Sequence, residues 1–177
     1  MNYATYSLPA RLLHWLMALL ILAMLFIGVG MVSSLGAWQH RLVSLHKGVG
    51  LVLLGLMLLR VVMRLRQSPP ALPANIPAWQ QRLAHSAHGL LYGLMLALPL
   101  LGWAMQSAGG YPLVVLGWTL PAIAPQDVDL YAGLRRAHGW LAYLLFASIL
   151  LHVAGALFHG LIRRDGVLAS MLRGRAR

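Results

Sequence analysis

The sequence contains no cysteine and only three acidic residues, and charged residues make up only 10% of the 177 residues. The lack of cysteine excludes disulfides, thiolate metal clusters, thiol catalysis and attachment of a cofactor through a Cys-x-x-Cys-His motif, so any metal ligands must be other residues. Hydrophobic residues make up 60% of the chain, and the mean hydropathy is +0.74. This composition excludes an ordinary soluble enzyme and is typical of a single-domain membrane protein.

The formal net charge of +11 raises the alternative of a nucleic-acid partner. However, the arginines cluster at the ends of apolar runs, as expected of residues that anchor helices in a membrane. No zinc-finger, helix-turn-helix or RNA-binding signature accompanies them. We therefore predict a lipid bilayer, and no nucleic acid, as the partner of these cations.

Four apolar segments are long enough to cross a bilayer, which takes about 20 residues. We predict transmembrane helices over roughly residues 9–33, 40–66, 80–107 and 131–163, packed as an all-α, antiparallel four-helix bundle in one domain covering residues 1–177. The proline-rich segment 68–77 is predicted to be a loop. The apolar segment 111–123, within the connection 108–130, is too short to span and is expected to lie at the membrane interface or to cap the bundle.

The distribution of cations predicts the orientation of this bundle. One side holds ten arginines: Arg11, Arg60, Arg64, Arg66, Arg82, Arg163, Arg164, Arg173, Arg175 and Arg177. The other side holds four cations: Arg41, Lys47, Arg135 and Arg136. By the positive-inside rule both termini face the cytoplasm.

Four histidines, His14, His46, His138 and His152, fall within the apolar parts of the predicted spans, where an imidazole is costly unless it binds something. In the predicted orientation His14 and His152 lie at the cytoplasmic depth, whereas His46 and His138 share the outer depth. The fourteen residues from His138 to His152 leave both imidazoles within about 40° of one helix face and about 21 Å apart along the axis. The fourth helix therefore contributes one ligand to each of two sites.

Paired neutral imidazoles are suitable axial ligands for haem b, which cycles one electron. Zinc is the competing metal, but it requires three or four ligands at one place, and each level offers two obvious histidines. The same fourteen-residue step leads from His46 to Arg60, whose guanidinium is placed to neutralise a propionate of the inner haem.

Several strings resemble the bacterial cytochrome b561 family over essentially the whole chain. They are Arg11-Leu-Leu-His14-Trp15, His46-Lys-Gly-Val-Gly50 followed by Arg60 and Arg64, His88-Gly-Leu-Leu-Tyr92 with Pro99 and Gly102, and His138 to His152 followed by His159. The resemblance implies a four-helix cytochrome of the bacterial inner membrane with two haem b groups, each ligated by two histidines. It also implies electron exchange with ubiquinone, and superoxide oxidase activity, in which superoxide is oxidised to oxygen. The implied iron ligands are His14, His46, His138 and His152.

The remaining polar residues have two interpretations each. Arg41, Lys47, Arg135 and Arg136 either steer superoxide to the outer ligands or only anchor the helices. Arg82, His85 and His88 either deliver protons to a quinone or simply face water at the interface. His159 is an alternative inner ligand or a propionate partner, and the spacing favours His152.

Two further functions stay open. The same fold serves as the membrane cytochrome subunit of dehydrogenases and hydrogenases, in which a partner protein donates the electron. A haem-free carrier or assembly protein, whose histidines move protons or bind a transient metal, is the second alternative. In the favoured interpretation no side chain acts as a catalytic nucleophile, because the redox chemistry belongs to the cofactors.

Overall fold

The computed structural model describes residues 5–33, 35–67, 76–115 and 117–172. They form four long helices: α1 (Leu8–Ser33), α2 (Ala37–Arg66), α3 (Ala78–Ala108) and α4 (Val128–Leu157). A π-helical segment, Phe158–Arg163, continues α4 and is followed by a short helix, α5 (Val167–Leu172). Between α3 and α4, the two-residue strands β1 (Val114–Val115) and β2 (Trp118–Thr119) pair in antiparallel fashion.

The predicted all-α fold with four membrane-type helices is confirmed. Helices α2 and α4 begin at Ala37 and Val128, three residues before the predicted starts at 40 and 131. The predicted fourth helix is not α-helical to its end, because its last six residues form the π-helical segment. Of the predicted loop 68–77, residues 68–75 lie outside the described residues.

Successive long helices run antiparallel and pack side by side. α1 packs against α2, α2 against α3, and α3 against α4. The core of the last pair consists of Leu91, Leu94 and Leu98, which share one face of α3, together with Leu145 of α4. A second cluster joins Leu13 and Met17 of α1 to Met57 of α2, and these clusters fix the depth at which the helices face one another.

Large apolar side chains cover the outside of the bundle. Phe26 and Leu151, for example, expose 78% and 73% of their surface. Each of the four long helices, the last taken as Val128–Arg163, is long and apolar enough to cross a membrane. Outward-facing leucine, valine and phenylalanine on all four helices are expected where the surrounding medium is lipid, because contact with acyl chains avoids exposing them to water.

The connection between α3 and α4 folds back as a cap on the end of α3. Gly117, with a φ of +84°, permits the tight turn between β1 and β2. The indole of Trp103 donates a hydrogen bond to the Pro121 carbonyl at 3.0 Å, and the Ser107 hydroxyl accepts one from the Ile123 amide at 3.1 Å. At the end of the connection, the Asp127 carboxylate accepts a hydrogen bond from the Leu130 amide at 2.7 Å and thereby starts α4.

Candidate functional site

The outer pair, His46 of α2 and His138 of α4, brings two imidazoles face to edge inside the bundle. The ring centres are 6.1 Å apart, and the ring planes make an angle of 68°. The Nδ1 atoms of both rings are buried and have no hydrogen-bond partner among the described residues. The Nδ1 atoms of both rings are therefore available to a ligand.

Two glycines lie against the outer pair. A Cβ atom on Gly102 of α3 would come within 3.5 Å of the His138 Cε1 atom, and a Cβ atom on Gly28 of α1 within 3.9 Å of the His46 Cε1 atom. A larger side chain at either position would extend into the space beside the rings. Glycine at these positions thus keeps the surroundings of both imidazoles open.

The inner pair, His14 of α1 and His152 of α4, repeats this arrangement at the other end of α4. The ring centres are 6.3 Å apart, and the planes make an angle of 72°. Both side chains are half-buried. The histidines expected to share a depth thus face each other in both pairs, although their role as iron ligands stays a prediction.

The helix backbones leave room between the facing rings. Among the described residues, α4 makes its close backbone contacts with α3, whereas α1 and α2 approach α4 much less closely. The imidazoles of His14 and His46 therefore reach across a gap to meet His152 and His138. A gap bridged only by side chains is where a planar cofactor fits between helices of a bundle.

Arg60 of α2 adds a fixed positive charge to the inner pair. Its Nη2 atom donates to His14 Nδ1 at 3.3 Å, because a guanidinium has donors only. Its Nε atom donates to the Tyr92 hydroxyl at 3.1 Å. The sequence predicted that Arg60 lies at the depth of the inner pair, and in the structure its side chain contacts His14.

The three residues expected near a quinone, Arg82, His85 and His88, separate in the structure. The ring of His88 lies 5.4 Å from that of His152, so His88 belongs to the inner histidine group. His85 is exposed, and its Nδ1 lies 2.6 Å from the Gln81 carbonyl one turn back on the same helix. Arg82 is also exposed. Of these three residues, only His88 contacts the inner pair.

His159 does not point toward the inner pair but joins a network below it. Its Nδ1 atom lies 2.5 Å from Asp165 Oδ2, and the Asp165 side chain is 97% buried, exposing 3% of its surface. Arg163 Nε lies 3.6 Å from the same carboxylate oxygen, and its Nη1 donates to Gln80 Oε1 at 2.6 Å. His159 is thus occupied by a carboxylate of this chain, which leaves His152 as the histidine of α4 that faces His14.

The four outer cations have different environments. Arg41 is exposed and lies over the Trp38 ring, 5.7 Å from its centre. Lys47 is half-buried and donates to Gln106 Oε1 at 3.4 Å. Arg135 and Arg136 are exposed and line a shallow cleft of about 470 Å³ with Trp140. Three of the four cations are therefore accessible from outside the bundle.

No group of three or more histidine, cysteine, aspartate or glutamate side chains within the described ranges is arranged to hold a metal ion. A tetrahedral zinc site needs at least three such ligands. The imidazole pairs instead suit a metal whose other ligands come from a macrocycle.

Sequence reasoning missed two features of this region. The Asp165 network was detectable, because Asp165 is the single acidic residue outside the α4 start in a chain with only three. Arg11 was interpreted as an inner cation, yet its Nε and Nη1 atoms are buried and have no hydrogen-bond partner among the residues that the structure describes. No sequence signal distinguishes such an arginine from an ordinary membrane anchor.

Curated relatives resemble this chain along most of its length. It is 32% identical over 171 residues to "Cytochrome b561 homolog 2" of Escherichia coli, which covers 94% of this chain and 90% of the relative. It is 32% identical over 127 residues to "Cytochrome b561 homolog 1" of the same organism, covering 72% of each. It is also 30% identical over 165 residues to "Probable superoxide oxidase CybB" of Yersinia pestis, covering 90% of this chain and 91% of that protein.

Residues 5–174 match the family described as prokaryotic cytochrome b561, which includes all four long helices and both histidine pairs. The family match, the four apolar helices and the relatives agree with one another. This chain therefore belongs to the prokaryotic cytochrome b561 family, and it is a membrane electron-transfer protein whose family implies the binding of haem b.

Proposed function

We propose that this protein oxidises superoxide to oxygen at the outer face of the bacterial inner membrane and passes the electrons to ubiquinone through two haem b groups. The observation that carries the proposal is the presence of two imidazole pairs at opposite ends of α4. His46 and His138 would hold the outer haem, and His14 and His152 the inner one. Both termini would face the cytoplasm, as the excess of arginine on that side favours.

The spacing of the rings fits a shared metal ion. Two imidazoles that share one metal ion must lie close together, because each metal–nitrogen bond is about 2.0 Å long. The ring centres are 6.1 Å apart in the outer pair and 6.3 Å apart in the inner pair. At these separations His46 with His138, and His14 with His152, would each hold one haem iron.

The outer pair also has ring nitrogens that are free to bind a ligand. The buried Nδ1 atoms of His46 and His138 have no hydrogen-bond partner in the described part of the chain, which is a cost that ligand binding or a bound polar group would remove. Gly28 and Gly102 keep the space beside these rings open. The donor set, two neutral imidazoles and no thiolate or carboxylate, suits haem b.

Haem b, when bound, supplies a one-electron couple. The residues of this chain provide the surroundings for that couple. The helices hold each imidazole pair at a fixed separation, and the leucine-rich clusters around Leu94 and Met57 keep water out of the bundle. Arg60 supplies a positive charge at the inner pair.

Two observations support superoxide as the electron donor: the positive charge of the outer surface and the similarity of this chain to a relative. Arg41, Arg135 and Arg136 are exposed on the helices that carry the outer pair, and a cationic surface speeds the arrival of a small anion. A relative 30% identical to this chain is named a probable superoxide oxidase. Two superoxide ions supply the two electrons that reduce one ubiquinone to ubiquinol.

Reduction of ubiquinone also consumes two protons, and we propose that it occurs on the inner side. His88 lies beside His152, and His85 and Arg82 lie one and two turns before it on α3, at its exposed start. These side chains supply a path of titratable and cationic groups from the inner surface toward the inner pair. Exchanging both His85 and His88 for glutamine should slow quinone reduction and leave the haem spectra intact.

A superoxide pulse applied to proteoliposomes that contain ubiquinone tests the donor. We expect haem reduction within the mixing time of a stopped-flow instrument, with a rate that falls as ionic strength rises. Neutralising Arg135 and Arg136 together should lower that rate by roughly tenfold, whereas Arg66→Gln at the other end of α2 should not. Haem that is reduced only after addition of a dehydrogenase or hydrogenase partner, and not by superoxide, would refute the proposed donor.

A further inference from the structure

Arg11 is a half-buried cation on α1, the helix that carries His14. Its Nε and Nη1 atoms are shielded from solvent and make no hydrogen bond with the described residues. It precedes His14 by three residues on α1, and residues at this spacing share one side of a helix. Arg60 of α2 contacts His14 directly, and Arg11 lies about one turn before His14 on α1.

The side chains of this protein cannot supply the missing anion. The chain has only three acidic residues. Asp127 and Asp129 lie at the start of α4, at the end of the bundle opposite Arg11. Asp165 is already engaged by His159, Arg163 and the Val167 amide. Two buried guanidinium nitrogens without an acceptor are unfavourable, and an anion from outside the polypeptide would supply the acceptor that these side chains do not.

Arg60 requires a new acceptor as soon as His14 ligates iron. In the structure Arg60 donates to His14 Nδ1, so this nitrogen carries a lone pair. In an imidazole bound to a metal, one ring nitrogen is the ligand and the other carries a proton. Whichever nitrogen binds iron, Nδ1 can no longer accept a hydrogen bond from Arg60.

We propose that Arg11 and Arg60 together bind the propionate carboxylates of the inner haem. This inference rests on the proposed function and adds Arg11 to it as a positioning residue. Carboxylates are the planar acceptors that a guanidinium binds with two parallel hydrogen bonds. A lipid phosphate has similar oxyanion chemistry, and the experiment below distinguishes the two sources.

The test measures the two haems separately in Arg11→Gln, in Arg11→Lys and in the exposed control Arg66→Gln. In Arg11→Gln the inner haem should have a more negative midpoint potential, because loss of a nearby cation favours the oxidised iron. A tenfold change in the relative stability of the two oxidation states corresponds to about 59 mV for a one-electron couple. The inner haem should also transfer to apomyoglobin roughly tenfold faster, as expected from loss of a charge-assisted hydrogen bond.

The outer haem of the same molecules serves as the internal standard for folding. In Arg11→Lys the midpoint potential of the inner haem should stay close to the wild-type value, since the charge is kept. This variant should still lose the inner haem faster than the wild-type protein does. An inner haem unchanged in Arg11→Gln, with less phospholipid copurified, would assign Arg11 to a lipid phosphate and overturn the proposal. If Arg11→Gln and Arg11→Lys both weaken the binding of the inner and the outer haem equally, the proposal is also overturned. Failure of the proposed function is a distinct result, because the wild-type protein would then either bind no haem or bind haem that superoxide does not reduce.

Discussion

Asp165 fixes the end of the bundle below the inner pair, and replacing it by alanine should loosen α5 strongly. Its Oδ2 atom lies 2.5 Å from His159 Nδ1, and its Oδ1 atom accepts from the Val167 amide at 3.2 Å. A hydrogen bond to a buried charged group contributes about 2 kcal/mol, and one to an amide about 1 kcal/mol. Arg163 at 3.6 Å is partly exposed and adds little. The expected loss is therefore about 3 kcal/mol.

Hydrogen exchange of the α5 amides measures this loss directly, because α5 can open without unfolding of the whole bundle. Since about 1.4 kcal/mol corresponds to a factor of ten, Asp165→Ala should speed exchange in Val167–Leu172 by roughly a hundredfold. Asp165→Asn retains an oxygen that accepts from the Val167 amide. It should therefore lose only the contribution of about 2 kcal/mol from the charged group and speed exchange by about thirtyfold.

Asp129→Asn is the matched control, because Asp129 is exposed in the first turn of α4 and far from α5. It should leave exchange in α5 unchanged. If Asp165→Ala also leaves this exchange unchanged, the network around His159 does not hold α5, and the reasoning from buried charge is wrong.

Gly102→Leu should cause selective loss of the outer haem, because its side chain would extend into the space beside the His138 ring, only 3.5 Å from the first added carbon. Gly93→Leu on the same helix, where an added Cβ meets no atom within 4 Å, should keep both haems in optical spectra. Trp15→Phe removes the hydrogen bond of 3.1 Å to the Met171 carbonyl. It should speed exchange in α5 about fivefold, a loss of about 1 kcal/mol, and an unchanged rate would contradict the docking of α5 on α1.

The long helices were predictable because hydropathy marks them over 26 to 31 residues each. The connection after α3 was expected to cap the bundle, but its hairpin was not foreseen, since two-residue strands leave too little pattern to recognise. Helix α5, with six residues, was missed for the same reason. Short elements are held by tertiary contacts, such as the bond from Trp15 to Met171, that a single sequence does not reveal.

The pairing of the histidines followed from depth alone, since a residue's position along a membrane-spanning helix sets its level. Rotation about the helix axis was harder to predict. His159 follows His152 by seven residues, which in a continuous α-helix places both on nearly the same face. In the structure His159 lies at the start of the π-helical segment and contacts Asp165 instead. The approach of His88 to His152 was likewise not predicted, because a single sequence does not reveal which residues of α3 face the inner pair.

The central claim is that imidazole pairs at two levels of the bundle hold haem b. The ratio of haem to protein tests this claim most directly. A pyridine haemochrome assay should find two haems in each wild-type chain. It should find one in His46→Ala, with the inner haem spectrum kept, and one in His14→Ala, with the outer spectrum kept. A wild-type protein that stays colourless when supplied with iron and porphyrin, or a ratio that neither substitution changes, would contradict the account.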